Sequence, residues 1–240
     1  MNVKPIPFSP PMVRALLEGR KTQTRRVLKP QPQWLSGDWY WRSPRYDNGA
    51  GCDYFHTPNV SGIMSAWVEA MPYAPGDLLW VREEHRAETV QEGRRVDLSF
   101  DADGAIIHCA WPERCVLPTP EARRAPMHLP REASRLTLRV TEVRVQRLQE
   151  ISAADAQAEG AAPECDHCGR LEPCGCELPN PSHGRGFMRL WDSLNAQRGF
   201  GWDANPWVAA YSFELIKDNV DAVLADRLKA INDSSEAPYA

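Results

Sequence analysis

The segment Gly19-Arg20-Lys21-Thr22-Gln23-Thr24-Arg25-Arg26-Val27-Leu28 decides the fold that the sequence predicts. Upstream, Ser9-Pro10-Pro11 begins an apolar stretch that ends at Leu17 and predicts a short helix. Serine caps a helix, proline is tolerated in its first turn, and a glycine such as Gly19 closes its last turn. The two threonines and the apolar end of the segment favour a strand, which Pro30 stops. The expected order is therefore helix, basic turn and strand.

Further regions along the chain have the residue patterns of strands and helices. The predicted strands lie at 78–83, in a hairpin within 93–111, at 135–145 and at 207–215, and the predicted helices at 152–160, 187–194 and within 217–240. The apolar residues of 135–145 change parity after Val140, so we expect a bulge or bend near Thr141-Glu142. A small β-barrel turns its corners with such bends.

The chain has 240 residues, 42% of them hydrophobic, which is enough to bury the core of one large domain or two small ones. We expect one domain over 1–216, with a long loop at 33–75 and a cysteine-rich insert at 163–185, followed by a polar helix and tail at 217–240. No apolar run approaches the roughly 18 residues of a membrane span, and no signal-like segment opens the chain. We therefore expect a cytoplasmic protein with no membrane partner.

The formal net charge of −4 conceals two regions of opposite sign. Residues 1–30 carry seven lysines or arginines and one acid, Glu18, whereas residues 150–177 carry seven acids and one base, Arg170. The planar guanidinium of arginine suits phosphates and base edges. A GC-rich genome also favours arginine, so composition alone leaves nucleic-acid binding open.

Gly19, Lys21 and Arg26 fit a Gly-x-Lys-x-x-x-x-Arg motif, and on this motif the sequence resembles the ASCH family, a branch of the PUA-like proteins. Three later blocks resemble the longer phage- and prophage-type members of that family: 75–83, 148–160, and 190–193 together with 205–207. The resemblance implies an α+β fold, with a small PUA-like β-barrel and flanking helices. The insert at 163–185 and the tail lie outside the shared core.

The resemblance also implies a function. Small ASCH members include amidohydrolases that remove the acetyl group from 4-acetylcytidine with a threonine, a lysine and a glutamate, which correspond by motif position to Thr24, Lys21 and Glu159. Other members have been regarded as RNA-binding or RNA-cleaving modules. We therefore expect a basic cleft that binds a modified pyrimidine nucleoside or short single-stranded RNA and hydrolyses an exocyclic amide. The alternatives are a non-catalytic reader of modified or single-stranded nucleic acid and a metal-independent ribonuclease.

The chemistry of the three residues sets conditions on the structure. A threonine hydroxyl needs a neighbouring base, and lysine serves as one only if burial or nearby positive charge lowers its pKa. Arg20, Arg25 and Arg26 supply such charge in sequence and are candidates to bind the substrate or nucleic acid. Lys21 and Thr24 have opposite parity, so a regular strand would point them to opposite faces. The triad therefore requires Lys21 to lie in the turn before the strand.

A purely structural interpretation of these residues stays open. Lys21 and Arg26 are also compatible with solvated charges or with a salt bridge to Glu83. Thr24 is equally compatible with an ordinary strand position.

The loop at 33–75 combines aromatic and basic residues. Trp39 and Trp41 lie beside Arg42, a mixture suited to stacking on unpaired bases. A hydrophobic lid packed against the domain is an equal alternative.

Four of the seven cysteines fall within twelve positions: Cys165, Cys168, Cys174 and Cys176. The first pair has the two-residue spacing of structural zinc sites, whereas the second pair is closer together. Four thiolates can complete a tetrahedral zinc shell, and reduced, metal-free cysteines are the alternative. No organic cofactor is expected.

Overall fold

The computed structural model of the protein describes residues 1–35, 38–42, 54–57 and 71–235, with side chains for 1–33 and 71–230. Within these ranges the strands are β1 (Val3–Pro7), β2 (Gln23–Val27), β3 (Gln33–Leu35), β4 (Asp38–Arg42), β5 (Tyr54–Thr57), β6 (Leu78–Arg82), β7 (His85–Gln91), β8 (Arg95–Phe100), β9 (Ile106–Ala110), β10 (Arg123–Arg124), β11 (Thr137–Arg147), β12 (Glu164–Cys165), β13 (Pro181–Ser182) and β14 (Trp207–Ile216). The helices are α1 (Pro10–Leu17), α2 (Ala153–Ala158), α3 (His183–Asn195) and α4 (Val220–Ser235).

The chain forms two compact units. Unit 1 consists of Met1–Leu17, Gly76–Arg139 and Glu214–Ala240, and unit 2 consists of Glu18–Pro75 and Val140–Phe213. Strands β11 and β14 therefore each contribute residues to both units.

Unit 1 contains two groups of strands. Strand β1 runs parallel to β6, and β6 runs antiparallel to the first residues of β11. Residues 78–81 are buried in succession, which is the pattern of a strand covered on both faces. The second group has the order β10-β7-β8-β9, and its β8–β9 pair is the hairpin predicted within 93–111. The helix predicted within 217–240 is α4, whose first residue, Val220, is buried against Leu78 and Trp80.

Unit 2 is built on the antiparallel pair of β14 and β2. A buried cluster joins these strands to α2 and α3 through Leu148, Ala156, Ala161, Phe187, Trp191 and Val208. The hydroxyl of Ser152 accepts a hydrogen bond from the backbone N–H of Asp155 and caps α2, as its sequence predicts.

The segment 33–75 differs from the expected loop. Strands β3, β4 and β5 form an antiparallel three-stranded sheet there. The aromatic residues of this segment have high β propensity, but they lack the alternation that makes a strand visible in sequence.

The burial pattern of β11 follows the change of parity in its sequence, and the bulge or bend expected near Thr141-Glu142 stays a prediction. Leu138 and Val140 are buried, the next two residues are exposed, and Val143 and Val145 are buried again, within one uninterrupted strand. The α+β class is confirmed. The expected small β-barrel is not, because the strands in the described part of the chain form several sheets and none of these is a closed barrel. In the ranges described, no helix has both the length and the apolar character needed to cross a membrane.

Candidate active site and metal centre

Lys21 lies in the connection between α1 and β2, as its proposed role requires. Helix α1 ends at Leu17, Gly19 adopts a left-handed conformation with φ of 73°, and β2 begins at Gln23. Lys21 forms an isolated antiparallel bridge with Glu159, and the backbone N–H of Thr22 donates to the carbonyl of Ala158 over 2.8 Å. The backbone therefore brings Lys21 to the end of α2.

The ammonium group of Lys21 is enclosed by protein acceptors. Its Nζ atom donates to the carbonyl oxygens of Gln23 and Glu159, each at 2.8 Å, and to the Glu159 carboxylate at 2.9 Å. Lys21 is 3% exposed and Glu159 is 4% exposed. Two of the three residues assigned by resemblance are thus in direct contact.

Arg25 continues this arrangement on the same side of β2. Its guanidinium lies 3.0 Å from Glu159 Oε1 and 3.0 Å from Asp155 Oδ2. The half-exposed Arg144 then contacts the other oxygen of Asp155 at 2.9 Å. We call Lys21, Arg25, Glu159, Asp155 and Arg144 the ion-pair network. Because the side chain of Arg25 is fully buried in this network, Arg25 holds carboxylates together and does not offer its charge to solvent.

The pKa of Lys21 is lowered, chiefly by burial of its charged form. The adjacent Glu159 carboxylate opposes this shift, and the positive charges of Arg26 and Arg25 add to it. Burial also acts to raise the pKa of Asp155, but the hydrogen bond from Arg144 and the charges of Arg144 and Arg25 outweigh it, so that pKa lies below its ordinary value.

Thr24 and Arg26 occupy the other face of β2, because side chains alternate along a strand. Thr24 is 4% exposed and pairs across the sheet with Tyr211, which is also buried. Tyr73 packs edge-on against Tyr211, with ring centroids 5.2 Å apart. Within the described part of the chain, the Thr24 hydroxyl takes part in none of the side-chain hydrogen bonds found.

Arg26 connects the two faces electrostatically. Burial lowers its pKa, while Tyr73, Glu159 and Tyr211 oppose that shift. Arg26 therefore interacts electrostatically with both Tyr73 and Glu159. Sequence reasoning missed Tyr73, because nothing in its spacing links it to the motif that contains Arg26.

Arg20 lies at the surface. Its guanidinium pairs with Glu18 and donates to the carbonyl of Gly160 over 3.2 Å. Beside it is a cavity of about 550 Å³, lined by small residues and by Arg20, Thr22, Gln157 and His183. Its volume falls within the range of small-ligand sites. Lys21 and Glu159 do not line this cavity.

The predicted stacking residues lie on β4. Trp39 and Trp41 pair with Thr57 and Phe55 of β5, and Arg42 ends the strand. Their side chains are outside the described part of the structure, so the stacking of bases on this segment stays a prediction.

The four clustered cysteines come together in unit 2. Their Sγ atoms all lie within 4.8 Å of one another, and those of Cys165 and Cys176 are 4.0 Å apart. Strands β12 and β13 pair antiparallel and close the base of the insert. These four cysteines are positioned to hold a metal ion.

Backbone groups of the insert support a negative charge on sulfur. Hydrogen bonds from the backbone N–H groups of Asn180 and Cys168 lower the pKa of Cys165 to about 6. Hydrogen bonding with Cys168 and Cys174 raises the pKa of Cys176, because these thiols share protons at short range. A divalent cation bound by the four sulfurs would replace those protons, so the thiols would no longer compete for them.

Comparison of the chain with family models, with curated proteins and with solved structures finds no match. The geometry of the site and the sequence motif are therefore the basis for assigning a function.

Proposed function

We propose that this chain is an ASCH-type protein of the PUA-like class that binds a modified pyrimidine nucleoside or a short single-stranded RNA segment. We further propose that it hydrolyses an exocyclic amide of the 4-acetylcytidine type. The observation that carries this proposal is the buried contact between Lys21 and Glu159, at 2.9 Å. Two residues 138 positions apart, assigned by motif to one reaction, share one buried site.

In this proposal Thr24 is the nucleophile. Its Oγ forms a bond to the acyl carbon, while its proton passes through a water molecule to the neutral amine of Lys21, because the two side chains lie on opposite faces of β2. The bond between the acyl carbon and the exocyclic nitrogen then breaks, and Lys21 returns the proton to the leaving amine. Water hydrolyses the resulting acyl-threonine ester, which releases the carboxylic acid and restores the hydroxyl of Thr24.

The environment of Lys21 supports a role as base. Burial lowers its pKa, which increases the neutral fraction at a given pH. A neutral amine keeps two N–H donors, enough to stay bound to the side chain and carbonyl of Glu159 while its lone pair accepts the transferred proton. Glu159 is then a positioning residue, and Arg26 supplies positive charge beside the reacting oxygen.

A non-catalytic reader is the second candidate, and one observation favours it. Lys21 donates three hydrogen bonds to protein acceptors, which is the full capacity of an ammonium group. In that state Lys21 cannot accept a proton from Thr24. The same residues would then only shape a cleft for single-stranded or modified nucleic acid. A metal-independent ribonuclease would use the same cleft to activate a ribose hydroxyl.

The experiment that tests the proposal follows cytidine release from 4-acetylcytidine, as a free nucleoside and within a short RNA, by chromatography. We compare wild type with Thr24→Ala and with Thr141→Ala, an exposed threonine of β11. Release by wild type and Thr141→Ala, but not by Thr24→Ala, supports the amidohydrolase. Binding without release by any of the three proteins supports the reader, and cleavage of the RNA supports the nuclease.

We also propose that the cysteine cluster binds structural zinc. A tetrahedral site with Zn–S bonds of about 2.3 Å places sulfurs about 3.8 Å apart, close to the 4.0 Å between Cys165 and Cys176. Four thiolates fill the shell and leave no open position for substrate, so the ion would stabilise the insert. Reduced thiols are expected of a cytoplasmic protein.

A further inference from the structure

Helix α3 approaches the cysteine insert closely because it carries a glycine at the contact. A Cβ atom added to Gly186 would lie 1.9 Å from the carbonyl oxygen of Ala162, which directly precedes the insert. The backbone of Ala162 therefore packs directly against α3 at Gly186, where the helix has no side chain. The contact fixes the distance between α3 and the loops that hold the cysteines.

Two arginines on α3 reach from this contact to the cysteine loops. Arg185 donates to the carbonyl of Asp166 over 2.9 Å, and Arg189 donates to the carbonyl of Gly169 over 2.8 Å. These residues are four positions apart, so they lie on the same side of the helix. Each accepting carbonyl belongs to the residue that directly follows a cysteine of the cluster, Cys165 or Cys168.

The backbone of the loop is shaped to receive both guanidinium groups. Gly169 has φ of 69°, a conformation that strains residues with a side chain. A Cβ atom there would lie 3.1 Å from one Nη atom of Arg185 and 3.7 Å from one of Arg189. Both cations therefore converge beside the same loop.

The charges of Arg185 and Arg189 are opposite in sign to the charge of a metal-thiolate centre. A divalent cation held by four thiolates has a net charge of −2, and the two guanidinium groups carry +2. Arg189 also forms an ion pair with Glu164 at 3.1 Å, which takes up part of its charge. Arg185 has no carboxylate partner among the residues that the structure describes.

We propose that Arg185 and Arg189 are positioning residues for a divalent metal ion at the cysteine cluster, which hold the two cysteine loops against α3 and offset the negative charge of the metal-thiolate centre. This inference rests on the proposed zinc site and extends it to the residues that set its affinity. Groups that orient and neutralise metal ligands typically change metal affinity 10- to 100-fold when they are removed.

The test measures Zn²⁺ affinity by competition with a chromophoric chelator, in the full chain. The variants are Arg185→Gln, Arg189→Gln and their lysine counterparts. Arg170→Gln is the matched control, because Arg170 lies in the same insert and its exposed side chain makes no hydrogen bond or ion pair within the described residues. Circular dichroism of the metal-free proteins reports whether each variant folds.

We expect Arg185→Gln to weaken Zn²⁺ binding by about 10- to 100-fold, Arg189→Gln to weaken it less, and Arg170→Gln to leave it within about threefold. The lysine variants, which keep the charge, should recover part of the loss and keep the test valid if a glutamine variant folds poorly. Equal effects of Arg170→Gln and Arg185→Gln would overturn the inference while the zinc site stands. Wild type that binds no Zn²⁺ would overturn the zinc site and this inference with it.

Discussion

Lys21 binds two different groups of one residue, because its ammonium donates to both the carboxylate and the backbone carbonyl of Glu159. A single side chain thus fixes the end of helix α2 and neutralises a buried charge. The same carboxylate also accepts from Arg25 through its second oxygen. The negative charge of Glu159 therefore lies between two buried cations, Lys21 and Arg25, and pairs with both.

Replacement of Glu159 should strongly destabilise the protein. In Glu159→Gln the cations of Lys21 and Arg25 lose a buried partner, and breaking such a pair costs about 3–5 kcal/mol in the free energy of unfolding. Urea denaturation measures the loss. The control is Glu18→Gln, which removes an exposed partner of Arg20 and should cost less than about 1 kcal/mol. Equal stabilities of the two variants would contradict the importance of the ion-pair network.

The ion-pair network should also make the free energy of unfolding depend on pH in the acidic range. The pKa of Asp155 is lower in the folded protein than its ordinary value of 3.8, so its carboxylate stabilises the fold above that value. The contribution should be lost as the pH falls from about 4 through the lower pKa of the folded state. The difference in unfolding free energy between wild type and Asp155→Asn, measured at several pH values, should therefore be constant near neutrality and shrink below pH 4. A difference that grows as the pH falls would show that the sign is wrong.

The proposed reaction predicts how its rate depends on pH. Because burial lowers the pKa of Lys21, kcat/KM should rise with pH along a limb whose midpoint lies below the ordinary 10.5. Glu159 raises this pKa and Arg26 lowers it. The midpoint should therefore move to lower pH in Glu159→Gln and to higher pH in Arg26→Gln. A midpoint that stays in place in both variants would exclude Lys21 as the base.

Local features of the site could be predicted from the sequence. The triad required Lys21 to lie in the turn before the strand, and Lys21 lies there, although alternation along β2 leaves Thr24 on the other face. The spacing of the cysteines made a four-thiolate site one of two alternatives, because a loop of a few residues between ligands restricts the distance they can span. The start of α2 followed from Ser152, whose hydroxyl caps the helix.

Features that depend on distant packing could not be predicted in this way. Arg25 belongs to a basic run typical of a solvated face, yet two carboxylates of α2 and its C-terminal end bury it. Tyr73 packs at the site on Tyr211, which is 138 positions away. Glu83 was an alternative partner for Lys21, but it pairs with Arg135 at 2.8 Å. Each of these contacts depends on which helices and strands are neighbours in the fold. The residue pattern within one element does not determine those neighbours.

Metal removal should destabilise the protein through the cysteine cluster. A ligand that binds only the folded state stabilises it, so a strong chelator should lower the unfolding temperature of wild type. Cys168→Ser removes one of the four ligands and should abolish most of this response. Cys109→Ser, which changes a cysteine of β9 outside the cluster, should keep it. Calorimetric scans with and without chelator measure all three. Equal responses of the two variants would mean that the cluster is not where the metal binds.

Two glycines on helix α3 should respond in opposite ways to the same substitution. An added Cβ at Gly186 would meet the carbonyl oxygen of Ala162 at 1.9 Å, a backbone atom that cannot turn aside. Gly186→Ala must therefore push the helix away from the insert, and we expect a loss of about 1–3 kcal/mol or more in unfolding free energy.

At Gly184 the nearest atom to an added Cβ is the Ser182 hydroxyl, at 3.7 Å, which is ordinary contact. Gly184→Ala should therefore be neutral or stabilise the helix by up to about 1 kcal/mol, because alanine loses less backbone entropy than glycine. Urea denaturation compares the two variants, and Zn²⁺ affinity measured alongside should fall only in Gly186→Ala, since displacement of α3 also withdraws Arg185 and Arg189 from the cysteine loops. If Gly186→Ala were as stable as Gly184→Ala and bound Zn²⁺ as wild type does, the close approach of helix and insert would be unnecessary for the metal site.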